Sequence, residues 1–278
     1  MTENKDRFKN RVWWVAKVLL WYFFYQVVCT YGFYGIDWCA TWLTGGEKDL
    51  FFTNNAILSA SLFLSALLMI WHLVTFGYVK ISARIFSEVA PSMLAKTTAL
   101  IFGSMYVLNV AMEWIALPDF MEDTFMELSD EPLAVAAMAL FAPIVEEMMF
   151  RGAIQGYLMR RCSNPWTGII IAAIIFGAIH MNPQQIVYAT LLGIIFGWIY
   201  YRTRSLLPVI VGHVLNNSVA VASMKIWGTE DIEAVTMDDK MMMVPFILLI
   251  VAALVPLVAS INRKLPAVPQ PWREKSED

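Results

Sequence analysis

Charge is scarce in this sequence. Of its 278 residues only 15% are Asp, Glu, Lys or Arg, and 59% are hydrophobic, whereas an ordinary soluble domain is about 25% charged. Cysteine is scarcer still. Cys29, Cys39 and Cys162 are odd in number and have no CxxC spacing, which argues against a disulfide framework and against a thiolate zinc site. Each reads as a small residue of a membrane helix or interface. No internal repeat or low-complexity tract occurs, so the chain reads as one domain. Net charge is −3; nothing in that balance implies a nucleic-acid partner.

Apolar and aromatic residues fill the space that charge leaves. Eleven Trp, ten Tyr and seventeen Phe suit the interfaces of a lipid bilayer. A spanning helix needs about 20 mostly apolar residues. Runs of that kind lie near 12–35, 54–79, 97–117, 132–159, 205–226 and 241–261. Two shorter runs, near 166–181 and 184–201, are divided by the polar turn Asn182, Pro183, Gln184 and Gln185. The fold expected is therefore all-α and polytopic, with about eight transmembrane helices. The first run follows a basic start (Lys5, Arg7, Lys9, Arg11). It exceeds the roughly 7–15 apolar residues of a signal-peptide core, and no A-x-A site follows it. It reads as a retained membrane helix.

Charge placement tests the helix count, because cytoplasmic loops gather Lys and Arg. With the N-terminus inside, the cytoplasmic segments hold Lys80, Arg84 and Lys96, then Arg160 and Arg161, then Arg202 and Arg204, and last Arg263, Lys264, Arg273 and Lys275. The opposite loops carry Asp119, Glu122, Asp123, Glu127, Asp130 and Glu131, and then Glu230, Asp231, Glu233, Asp238 and Asp239. Eight helices with both termini in the cytoplasm satisfy this alternation, with only Lys48, Lys225 and Lys240 on the outer side, as an integral protein of the cell membrane. The segments expected are a basic tail over 1–11, three helices over 12–130, a core over 131–226, a last helix over 241–262 and a tail over 263–278, Pro-rich over 266–271.

Ionisable residues inside a span are expensive and mark function by default. Glu146, Glu147, Arg151, His72, His180 and His213 meet that description, with Asn217 as a buried polar companion. Glu147 and Arg151 are four apart and share a helical face, so they pair. Glu146 points about 100° away and lacks that cation. A carboxylate without a cation in an apolar setting is suited to general-base work. His213 and Asn217 are also four apart. Any one of these polar side chains is as compatible with bonding a neighbouring backbone. Depth weighs against that: at about 1.5 Å per residue from the cytoplasmic ends, Glu146 lies roughly 20 Å in, His180 about 21 Å, Asn217 about 18 Å and His213 about 12 Å. Four groups from three helices fall in one slab. The turn over 182–185 would lie at membrane depth, where polar backbone is tolerated beside protein or a water-filled cavity. It is expected to border that cavity. His72 stands alone and is assigned a structural role.

Three motifs in order resemble those of the CPBP family, the CAAX-protease and bacteriocin-processing (Abi-like) intramembrane peptidases. They are E-E-x-x-x-R at Glu146, Glu147 and Arg151, F-x-x-x-H at Phe176 and His180, and H-x-x-x-N at His213 and Asn217. Gly193, Gly197, Arg204, Ser205 and Pro208 between them also look like the family, and the resemblance covers about 130–220. It implies an intramembrane endopeptidase acting on a membrane-associated peptide or protein. Glu146 and His180 would activate water, His213 and Asn217 would stabilise the oxyanion, and Glu147 with Arg151 would hold the helix. It also implies glutamate catalysis without a cofactor. The alternative is Zn²⁺ held by Glu146, His180 and His213, although the compact H-E-x-x-H arrangement is lacking. Two other readings compete: a non-catalytic scaffold or immunity protein, for which an eroded motif would be expected, and a proton-coupled transporter, for which symmetric halves would be expected.

Overall fold

The computed structural model describes residues 2–45, 53–79, 89–228 and 240–264. Among them there is no strand, and the chain is an all-α polytopic membrane protein. Helices α1 (Thr2–Thr44), α2 (Asn54–Thr75) and α3 (Pro91–Ile115) come first, then a short α4 (Glu122–Leu128). Next come α5 (Pro132–Arg161), α6 (Pro165–Ala178), α7 (Pro183–Thr203), α8 (Leu207–Trp227) and α9 (Lys240–Lys264). Seven of these are long and apolar enough to cross a membrane, and α6 is a shorter apolar helix. The eight expected runs are thus all helical. Lys80, Arg84, the second acidic stretch over 230–239 and the tail from 265 lie outside the described residues.

Several ends differ from the sequence-based bounds, each for a local reason. No Pro or Gly interrupts the chain from Thr2 to Tyr31, so the expected basic tail is the start of α1. Five helices begin with Pro in their first turn, at Pro91, Pro132, Pro165, Pro183 and Pro208. There the ring's fixed φ fits and its missing N–H is not needed. Helix α6 stops at Ala178, and Met181 takes a left-handed φ of 52° to turn the chain into α7.

The buried apolar core is joined by close approaches between helices. A Cβ on Gly177 would strike Thr190 Oγ1 and the Ile186 carbonyl, and one on Gly212 would strike Ile101. Small residues let backbones approach this closely when lipid supplies no hydrophobic drive between helices. Helix α5, at the centre, departs from α geometry on both sides of its glutamates. Residues Ala137–Phe141 and Met148–Gln155 are π-helical. Such turns recur at functional sites because they rephase the side chains beyond them.

Candidate active site

Glu147 is a hub buried to 0% exposure. Arg151 Nη1 donates to Glu147 Oε1 at 2.8 Å, and His213 Nδ1 meets the same oxygen at 2.8 Å. The pairing of Glu147 with Arg151 is the one their spacing predicts. His213 is the addition that spacing does not show. A carboxylate paired to a guanidinium only accepts, so Nδ1 of His213 carries the proton. Its Nε2 then faces Glu146, whose Oε2 is 3.7 Å away. His213 therefore bridges the two adjacent carboxylates, one at each ring nitrogen.

The Arg151 charge is enclosed rather than solvated. Its guanidinium carbon lies 4.6 Å from the Phe176 ring centroid and 5.2 Å from that of Phe196, and Nη2 donates to the Gly193 carbonyl at 3.3 Å. One turn on, Gln155 Nε2 donates to the Gly197 carbonyl at 2.8 Å. Glu147, Arg151 and Gln155 thus form a ladder down α5, facing Gly193 and Gly197 on α7. The glycines are needed: a Cβ on Gly197 would come within 2.7 Å of Gln155 Oε1. Sequence reasoning missed Gln155, although its four-residue step from Arg151 matches that between the glycines.

His180 lies just past the end of α6. Its Nδ1 donates back to the Phe176 carbonyl at 2.8 Å, which uses one of the carbonyls a helix C-terminus leaves unpaired. That bond fixes the tautomer and leaves Nε2 as the acceptor. The F-x-x-x-H spacing is therefore a local cap as well as a motif. Phe176 also packs edge-on to His180 and His213, at 5.1 and 5.9 Å between ring centroids.

Glu146 and His180 meet in a cavity of about 280 Å³, shared with Ile179 and with Gln185 of the polar turn. The Glu146 side chain is 12% exposed, against 0% for Glu147. Tyr22 and Gln26 of α1, with Leu58 and Leu62 of α2, form the facing wall, and Thr124, Phe125 and Leu128 of α4, with Met121 just before it, form a third side. His213 sits behind Glu146 and does not line this cavity. Asn217 stands apart in a network of its own: it donates to the Met138 carbonyl at 3.0 Å and accepts from Asn216 at 2.9 Å. Tyr188 in turn donates to Asn216 at 3.0 Å. The structure thus brings together Glu146 with His180, and Glu146 with His213 and Glu147, while Asn217 braces α8 against the first π turn of α5. Among the described residues, no three His, Cys, Asp or Glu side chains group as a set able to hold a metal ion.

Helix α4, absent from the helix count, is latched at both ends. Asp119 Oδ1 accepts from Met121 N, Glu122 N and Asn182 Nδ2, and Asn182 Oδ1 accepts from Phe120 N. At its other end Glu127 accepts from Asn55 Nδ2 at 3.2 Å. Its signal in the sequence is Met121, Phe125 and Leu128 at helical spacing among acidic residues. His72, set aside above as structural, meets the Tyr25 hydroxyl at 3.0 Å and packs beside Trp21 and Phe76.

Comparison with known proteins agrees with the location of this geometry. Residues 128–219 match the family described as type II CAAX prenyl endopeptidase Rce1-like. A stretch of 90 residues is 30% identical to the "Putative membrane peptidase YdiL" of Bacillus subtilis (strain 168), covering 32% of this chain. The match spans 36% of that relative's length. An uncharacterized 24.3 kDa protein of Escherichia coli is 25% identical over 197 residues, covering 65% of this chain and 87% of that protein. No solved structure matches the chain.

Proposed function

We propose, from the premise that this chain belongs to the CPBP family of membrane peptidases, that it hydrolyses a peptide bond in a membrane-associated peptide or protein. The observation that carries this reading is the meeting of Glu146 and His180 in one cavity within the family-matched segment. Glu146 takes a proton from water while the water oxygen bonds to the scissile carbonyl carbon. The protonated Glu146 then returns that proton to the amine as the C–N bond breaks. The free Nε2 of His180 orients the water. His213, held at Nδ1 by Glu147, turns its Nε2 edge toward Glu146 and orients that carboxylate for proton transfer, while Asn217, whose amide donates to the Met138 carbonyl, braces α8. Glu147 and Arg151 fix the ring and the helix.

We read the site as metal-free, with Glu146 as the base. Both termini lie in the cytoplasm, and the membrane is the cell membrane. The test is cleavage of a quenched-fluorescent peptide library by purified protein in detergent. Glu146→Gln and His180→Ala should each lower turnover by about 10²–10⁴-fold with an unchanged melting temperature, His213→Ala should lower both turnover and melting temperature because it strips a partner from buried Glu147, and a zinc chelator should leave wild type active. Variants that cut as well as wild type would overturn the assignment, and loss of wild-type activity to chelator would replace base catalysis by a metal.

A further inference from the structure

The two ends of the bundle differ in charge, and contacts between helices fix which residues share an end. At one end Tyr157 donates to the Asn10 carbonyl, Lys96 to Ser260 Oγ, and Arg202 to the Asn262 carbonyl. These contacts gather the start of α1 and α3 with the close of α5, α7 and α9. Lys9, Arg11, Lys96, Arg160, Arg161, Arg202, Arg204 and Arg263 all fall there. At the other end Asn55 meets Glu127, Asn182 meets Asp119, and Lys225 donates to the Ser129 carbonyl. That end holds Asp119, Glu122, Asp123, Glu127, Asp130 and Glu131, against Lys225 and Lys240 as basic residues among the described residues. By the preference of Lys and Arg for the cytoplasmic side, the first end is cytoplasmic.

The cavity belongs to the second end. Helix α4 forms one of its sides, and the His180–Gln185 turn that reaches it is tied to Asp119. Toward the basic end the way is filled: Met149, Phe150, Arg151, Ile154, Phe176 and Phe196 are each less than 2% exposed. We infer that the site is entered from the non-cytoplasmic face, past α4. Its substrate is then a peptide segment lying in the outer half of the bilayer, with apolar side chains beside the scissile bond seated against Leu58, Leu62, Phe125 and Leu128. The substrate half of this inference rests on the peptidase reading; the route of entry does not.

Cysteine labelling tests the route without activity. In a background of Cys29→Ser, Cys39→Ser and Cys162→Ser expressed in a bacterial host, a membrane-impermeant maleimide is offered to intact spheroplasts and to opened membranes. Phe120→Cys, beside α4, and Gln185→Cys, in the cavity wall, should label in intact spheroplasts; Ser163→Cys, after α5, should label only once they are opened. Phe120→Cys silent until opening would mean an inverted bundle. Gln185→Cys labelled only after opening, or from neither side, would mean that the cavity has no outer entrance. Either result overturns the inference. A second arm uses single-span reporters with an apolar cleavable segment at the outer or the inner membrane boundary, beside wild type or Glu146→Gln. Glu146-dependent cutting at the outer boundary is expected, and cutting at the inner one sinks the inference. If labelling is as expected and neither reporter is cut, the outer entrance stands and the peptidase reading fails.

Discussion

His213 lies between two carboxylates that do different work. Glu147 is shut away with Arg151, while Glu146 faces the cavity. Replacing Glu147 by Gln keeps the shape but removes the charge that holds Arg151 and fixes the His213 tautomer. Arg151 would then be a buried cation without its partner, which costs about 3–5 kcal/mol. We expect Glu147→Gln to melt at lower temperature and to lose kcat with little change in KM. Adding Arg151→Met should restore much of the stability but not the kcat, since the ring remains unheld. Equal recovery of both would show that Glu147 acts only through folding. Arg151→Lys is a milder test. It keeps the charge but loses the flat guanidinium between Phe176 and Phe196, a loss of about 1 kcal/mol read from the melting temperature.

At the scale of elements, the tightest joint is the hairpin of α6 and α7. Gly177→Ala sets a methyl against Thr190 and the Ile186 carbonyl, three residues before His180. Forced packing of this kind costs about 1–3 kcal/mol, so thermal stability and turnover should fall together. Gly32 and Gly35 on α1 have nothing within 4 Å of an added Cβ. Alanine there should be neutral or raise helix stability by up to about 1 kcal/mol. How much of this was legible follows from the same elements. The step of four from Glu147 to Arg151 was readable because it lies within one helix. Counting residues along helices gave Glu146, His180, His213 and Asn217 similar depths, but depth says nothing of rotation about each axis. That rotation leaves Asn217 apart and His213 behind Glu146, and the π turns on either side of Glu146 and Glu147 add a phase along α5 that residue counting does not show. Helix α4 escaped because seven residues are too few to register as a span.

Across the whole molecule, apolar composition, long helices and the opposed charges of the two ends agree on a protein that lives in the bilayer. It should stay with membranes through alkaline carbonate washing and leave them only in detergent; release by carbonate would contradict the fold. Chemistry and enclosure are unevenly distributed along this chain. The groups assigned to catalysis all fall within 128–219. Most of the wall facing them comes from earlier in the sequence, from Tyr22, Gln26, Leu58, Leu62, Met121, Thr124 and Phe125, while Leu128, Ile179 and Gln185 of the matched segment complete it. An ancestral gene could therefore exchange its first part for another and inherit a new diet while keeping its teeth. Chimeras joined near residue 128 would retrace that history, cutting with the machinery of one parent and choosing with the appetite of the other.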